Sequence, residues 1–263
     1  MRTFVRHYIV PLARRRGWIS ICEIGARTGT STDYLLKLPT TSHTIIDPCI
    51  DDDLQAKYSA DSRVRVVRSN SLDALADNGR IEPGTVFDSI LIDGDHNWYT
   101  VYNELRLIDE RGLLRPGGFV FLHDVDWPYA RRDLYYQPDT IPAQFRHPFA
   151  QKGMIRGQRG LAESGGLNEE LMNALEEGGP RNGVLTAIEE FLALHPGKYR
   201  FFRIRYQWGL GVLELRGARG PGIGLWALRA KALVHSPLWR LGQRVKAGMR
   251  AARRLGQGSG SAG

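Results

Sequence analysis

From residue 18 onward the chain alternates short apolar runs with segments of helical spacing. The apolar runs are WISICEIG (18–25), HTIID (43–47), VRVVRS (64–69), FDSILID (87–93) and GFVFLHD (118–124), several of them continuous rather than alternating. Continuous runs suit strands covered on both faces, as in a parallel sheet, whereas a strand with one wet face alternates. Between them STDYLLKL (31–38), LDALADNG (72–79) and TVYNELRLIDERGLL (100–114) read as helices, and in the last Val101, Leu105, Ile108 and Leu113 fall close to helical spacing. Pro116-Gly117-Gly118 breaks that helix and starts the next strand. The succession predicts βα units and an α/β fold.

Residues 125–183 break the rhythm. They are rich in Gly, Pro, Arg and Tyr, and only ELMNALEE (170–177) reads as helical. So long a connection inside one domain is a functional loop or a disordered one. VLTAIEEFLALHP (184–196) is an amphipathic helix, and YRFFRIRYQWGLGVLELR (199–216) reads as a hairpin around a glycine-containing turn. Residues 217–255 form a basic, tryptophan-bearing tail and 256–263 a Gly/Ser-rich end that reads as disordered.

Composition narrows the class. With 263 residues, 42% hydrophobic and 10% aromatic, the chain affords a sizeable core. No run approaches the roughly 20 apolar residues that span a bilayer. Cys22 and Cys49 are too few for a disulfide framework and lack zinc-site spacing. The basic start carries no cleavage pattern, so the reading is a cytoplasmic protein without a signal peptide. The net charge of +8 is uneven: ten Lys or Arg and no acid follow Glu214, which leaves 26 basic and 28 acidic residues, net −2, in 1–214. A near-neutral body argues against nucleic acid as a partner.

The loop Glu23-Ile24-Gly25-Ala26-Arg27-Thr28-Gly29-Thr30-Ser31 follows a predicted strand and opens a predicted helix. Glycines there permit a tight turn and close approach of a ligand to the main chain. The third glycine of the dinucleotide fingerprint and the lysine of a phosphate loop are both absent. Asp47 ends the second run about 20 residues past the glycines, where a carboxylate accepts ribose hydroxyls. Ser69-Asn70-Ser71 ends the third run, placed to line an adenine pocket. An adenosine-containing ligand without a pyrophosphate fits this set.

These residues give the chain its resemblance to class I S-adenosylmethionine-dependent methyltransferases, over roughly residues 15–125 and 184–216. Within them Ile92-Asp93-Gly94-Asp95-His96 and His123-Asp124-Val125 are similar to the subgroup of macrocin-type sugar O-methyltransferases and cephalosporin-hydroxylase-like proteins. The resemblance implies a Rossmann-like methyltransferase fold: a central, mostly parallel seven-stranded sheet with an antiparallel last strand and helices on both faces. It also implies that Glu23, Gly25 and Gly29 hold the methionine part of S-adenosylmethionine and Asp47 the ribose. Ala26, Thr30, Ser31, Ser69, Asn70, Ser71 and Asp93 complete the expected cofactor set.

An acidic cluster adds the chemistry. Asp93, Asp95 and His96 end one predicted strand and His123, Asp124 and Asp126 its neighbour. Adjacent strands lie about 4.8 Å apart, so these groups can converge on one hard cation such as Mg²⁺. A bound cation lowers the pKa of an acceptor hydroxyl, and a nearby base removes its proton. By resemblance Asp93 and Asp124 match metal positions, with His123 standing where some relatives carry a carboxylate. His96 and Asp95 are rival bases. A plainer reading of Asp95-His96-Asn97 is that it opens the helix near 100.

Other features are less specific. Trp127-Pro128-Tyr129 with Arg131 and Arg132 follow the fifth run, where aromatic faces suit a sugar and arginines an anionic acceptor. Residues 134–170 suit a lid that excludes water during transfer. His43, His147, His195 and His235 read as ordinary, and Cys22 as a core residue. The tail suits a membrane interface, packing on the core or a contact between copies in a homo-oligomer. The reading as a whole is a magnesium-assisted O-methyltransferase for a hydroxyl of a sugar, glycosylated natural product or glycolipid. Its rivals are transfer to a phenol or amine, and a catalytically silent cofactor-binding partner.

Overall fold

The computed structural model describes residues 1–217. Helical segments α1 (Arg2–Phe4) and α2 (Val10–Arg16) flank a π turn at Val5–Ile9, and Gly17, at φ 63°, ends the run. The sequence reading assigned this stretch no element. Its apolar residues at Phe4, Val5, Tyr8, Ile9 and Leu12 nevertheless repeat at helical spacing, and all are buried. The predicted βα units follow: β1 (Ser20–Ile24), α3 (Thr32–Leu35), β2 (Ser42–Ile46), α4 (Asp52–Ser59), β3 (Val64–Val67), α5 (Ser71–Ala76), β4 (Phe87–Ile92), α6 (Trp98–Glu110) and β5 (Leu114–His123). Helix α4, which the apolar pattern does not signal, starts at Asp51, whose carboxylate caps Leu54 N.

Residues 125–183 form a small second sheet of β6 (Leu134–Tyr135), β7 (Phe149–Gln151) and β8 (Met172–Ala174), with β8 in the middle. The helix expected over 170–177 is therefore replaced by a strand. Its local periodicity is outweighed by tertiary pairing: Asn173, fully buried in β8, donates to three backbone carbonyls that a helix would carry away. Then come α7 (Val184–Leu194) and the hairpin of β9 (Tyr199–Ile204) and β10 (Leu210–Leu215).

The main sheet has the order β3-β2-β1-β4-β5-β10-β9, with β10 antiparallel to both neighbours and the other paired strands parallel. This is the expected seven-stranded, Rossmann-like methyltransferase arrangement. Both faces are dry, which explains the continuous apolar runs. Cys22, Ile24, Ile90, Ile92, Val120 and Leu122 pack with α6 and α7, while the alternate residues Ile21, Leu91, Phe119 and Phe121 pack with α1 and α2. Among the described residues no helix is long and apolar enough to cross a membrane. The readings made for the tail fall on 218–263, outside the described residues.

Candidate active site

The carboxyl ends of β1, β2, β4 and β5 open on one cavity of about 1040 Å³. Ligands in open α/β sheets sit at this edge, where the strand order reverses. Here the strands step outward from β1 through β2 to β3 on one side, and β4 returns to pair with β1 on the other. Gly25 leaves β1 at φ 86°, and a Cβ there would collide with the backbone carbonyl of Asp93. The loops after β1 and β4 thus touch backbone to backbone, and only glycine satisfies both the angle and the contact.

Asp47 leaves β2 with its carboxylate buried, accepting from Arg27 N (2.5 Å) through Oδ2 and from Cys49 N (2.7 Å) through Oδ1. Each oxygen keeps a second lone pair for a ligand. Ala26, Thr30, Ser31, Asn70 and Ser71 share the same wall. A glycine cradle, a fixed carboxylate and small polar groups on one rim fit S-adenosylmethionine without a phosphate-binding loop.

Three expected cofactor residues do not line the cavity. Glu23 is buried beneath it, accepting from Thr32 Oγ1 (2.7 Å), with His43 Nε2 at 3.5 Å. Gly29 accepts from Tyr58 Oη (3.0 Å), and a Cβ there would run into that phenol. Ser69 is likewise absent from the lining.

The acidic cluster assembles at the ends of β4 and β5. His123 Nδ1 lies 3.0 Å from Asp93 Oδ1 and 2.9 Å from Asp124 Oδ2, and Met1 N lies 3.0 Å from His123 Nε2. Burial alone would lower the pKa of the His123 imidazole, but Asp93 and then Asp124 outweigh it and push it up to about 9. Asp93, although burial works the other way, is held well below the usual carboxylate range by that imidazolium. Asp124 takes a left-handed φ of 58°, a strain of about 1 kcal/mol for a non-glycine residue. Asp126 donates through its backbone N–H to Trp208 and stays off the cavity.

Asp93, His96 and Asp124 place one ligand atom each within 4.8 Å of one another. Two carboxylates and an imidazole suit a divalent cation, so the donor set fits one, with His96 in the place expected of His123. His96 Nδ1 is 3.4 Å from Asp124 Oδ2, and Asp95 accepts from Thr100 Oγ1 (3.0 Å). Burial raises the pKa of Asp95, against the pull of that hydroxyl. The helix start belongs to Asn97, whose side chain caps Thr100 N at 2.8 Å.

The remaining wall comes from Pro128, Tyr129, Tyr136, Gln137, Asn168 and Trp208. Sequence reasoning found only the first two of these. The others belong to elements that have no local signal for reaching β4 and β5. Arg2 and Arg27 also line the cavity and were missed. The arginines singled out earlier do not: Arg131 pairs with Glu189 on the surface (2.7 and 2.9 Å), and Arg132, buried, donates to the carbonyls of Ala174 and Arg159. Trp127 lies under Arg156, whose guanidinium is 4.5 Å from its ring centre. One buried acid has no assigned role. Glu104 in α6 is fully buried, and burial pushes its carboxyl up to about 8 against the pull of the neighbouring Ser71 hydroxyl, with Asp95 adding to the rise.

Comparison with known proteins places this geometry. Residues 22–125 match the model of a family described as a methyltransferase domain. No curated protein sequence gives a match. Solved structures of similar arrangement include an S-adenosylhomocysteine-bound methyltransferase from Podospora anserina, 16% identical over 80% of this chain and 76% of that one, TM-score 0.49. An O-methyltransferase from Bacillus cereus in complex with S-adenosylhomocysteine is 14% identical over 82% and 80%, TM-score 0.48. A 1,6-didemethyltoxoflavin-N1-methyltransferase from Burkholderia thailandensis is 16% identical over 81% and 78%, TM-score 0.46. The matched segment runs from β1 through the end of β5, the strands whose ends hold the glycine cradle, Asp47 and the Asp93–Asp124 cluster. Residues 22–125 are thus similar to a methyltransferase domain, carried on the seven-stranded α/β sheet described above.

Proposed function

We propose that the chain is an S-adenosylmethionine-dependent methyltransferase that transfers to oxygen, on a sugar hydroxyl of a glycosylated natural product or glycolipid, with help from a divalent cation. One observation carries the reading: His96, Asp93 and Asp124 share a cavity wall with Tyr129, Tyr136, Trp208, Gln137 and Asn168. Aromatic faces with neutral amides suit a polyhydroxylated ring, because the apolar faces of the ring stack while its hydroxyls find amide partners.

S-adenosylmethionine, when bound, supplies a methyl group on a sulfonium and leaves as the thioether S-adenosylhomocysteine. The protein has to make a hydroxyl oxygen nucleophilic. His96, or Asp95 beside it, takes the hydroxyl proton while the oxygen lone pair forms the bond to the methyl carbon. Asp93, Asp124 and His96 would hold Mg²⁺, which would stabilise the developing oxyanion. If His96 serves the cation, Asp95 is the base, and its raised pKa favours that duty.

The test has two stages. Calorimetric titration of the protein with S-adenosylhomocysteine, with and without Mg²⁺, is expected to show micromolar binding and a separate Mg²⁺ signal that Asp93→Asn abolishes. Methyl transfer from labelled S-adenosylmethionine is then screened against neutral glycosides, catechols and amines. Labelling confined to amines, or to catechols, replaces the acceptor class. Binding of S-adenosylhomocysteine without transfer to any class returns the silent-partner reading, and absence of binding leaves only the fold.

A further inference from the structure

The His96 imidazole is held by a residue far along the chain. It lies parallel to the ring of Tyr129 in an offset stack, the centroids 5.7 Å apart and the planes within 7°. Its Nδ1 faces Asp124 Oδ2 at 3.4 Å, and among the described residues its Nε2 has no hydrogen-bond partner.

Tyr129 is fixed at both ends. Its carbonyl accepts from Val184 N (2.9 Å) at the start of α7, and Gly183, at φ 93°, is there because a Cβ would strike that same carbonyl. Its phenol accepts from Asn168 Nδ2 (2.6 Å) and donates to Asn173 Oδ1 (3.1 Å). Asn173 cannot turn away, since its amide nitrogen donates to the carbonyls of Lys152, Asn168 and Leu171. Asn168 holds a left-handed φ of 56°. Two asparagines of the small sheet region therefore hold the phenol of a tyrosine whose ring lies parallel to the imidazole and offset from it.

We infer that Tyr129, clamped by Asn168 and Asn173, is a positioning residue that sets the plane of His96. With Nδ1 turned to Asp124, Nε2 is the nitrogen left for the acceptor proton; this rests on the reading of His96 as the base. The effect acts through geometry, because a proton acceptor rotated out of line loses most of its rate advantage. Residues 125–183 in this view hold the catalytic group in place as well as enclosing the acceptor.

The experiment uses the full chain, labelled with ¹³C-histidine and saturated with S-adenosylhomocysteine. The ring resonance of His96 is assigned by its absence from His96→Gln. In Tyr129→Leu that resonance is expected to move and broaden while S-adenosylhomocysteine affinity stays within about twofold. Tyr129→Phe keeps the ring but frees it from Asn168 and Asn173, and is expected to broaden the resonance without the full displacement of Tyr129→Leu. On an acceptor found by the screen, Tyr129→Leu is expected to lower kcat about a hundredfold with a much smaller rise in KM, and Tyr129→Phe to recover most of the kcat loss. An unchanged His96 resonance in Tyr129→Leu overturns the proposal, as does an equal kcat for the Leu and Phe variants. If Tyr129→Leu does not fold, Asn168→Ala takes its place and is expected to broaden the resonance; a native signal there overturns the proposal. Should wild-type protein methylate no acceptor, the functional reading falls, and the resonance still decides the positioning role.

Discussion

The two halves of the cavity are built by different means. The cofactor half uses backbone: the Gly25 turn, the Arg27 and Cys49 amides on Asp47, and the start of α5, all within one loop of a strand end. The acceptor half uses side-chain bonds over long distances, such as Tyr129 to Asn173 and Asp133 to Trp98 and Gly183. Backbone sites are specified by glycine and by short spacing, and tolerate change around them. Side-chain sites depend on each member being present, because a missing partner leaves a buried polar group unpaired.

Substitutions can break this contrast. The largest effect is expected for Gly25→Ala, where a forced left-handed angle and a collision with Asp93 combine to cost about 3 kcal/mol, read as a lower urea midpoint and lost S-adenosylhomocysteine binding. Native stability in that variant would show that the two loops are able to separate. Asp133→Ala comes next. It strips an acceptor from Trp98 N, Gly183 N and Tyr135 Oη, so a loss of about 2–3 kcal/mol is expected, with S-adenosylhomocysteine affinity preserved. Equal loss of cofactor affinity would mean that the halves are not independent.

Asp47→Asn is expected to weaken S-adenosylhomocysteine about tenfold and to cost about 1 kcal/mol in unfolding, since either Arg27 N or Cys49 N then faces an amide nitrogen that cannot accept. Glu104 tests pH. Its folded pKa, up to about 8, exceeds its ordinary value, so the folded state holds a proton that the unfolded chain releases. Stability therefore falls as pH rises from about 4.5 to about 8 and levels above that. Glu104→Gln is expected to flatten that slope in thermal midpoints, and an unchanged slope would assign it to other groups. The smallest effect, within about 0.5 kcal/mol, is expected for Arg131→Ala at its exposed pair with Glu189. A large loss of methyl transfer there would bring an anionic acceptor back.

The same contrast explains what the sequence disclosed. Strands β1 to β5, α6, α7 and the terminal hairpin announce themselves through local pattern, as do Gly25 and Asp47 through their spacing. The convergence of Asp93, His96 and Asp124 follows from adjacent strand ends. Residues such as Tyr136, Asn168 and Trp208 carry no such mark, because what places them on the cavity is pairing across the small sheet and the hairpin. In β8 the local mark pointed the wrong way, toward a helix. Glu23 and Gly29 show the reverse risk: each sits in the motif, yet one supports Thr32 and the other makes room for Tyr58.

Asp133 also has a temporal meaning. Its carboxylate ties Trp98 N and Gly183 N, 35 and 50 positions away, through single bonds, whereas β1 and β4, farther apart in the chain, are tied by a whole ladder. Ordering a connection costs entropy, and one or two bonds repay that cost less than a ladder does. The acceptor wall is thus expected to assemble on a finished sheet and to be the first part to open. Amide exchange at Trp98 and Gly183, faster than at the β1 and β4 ladder, would record that order in the native protein.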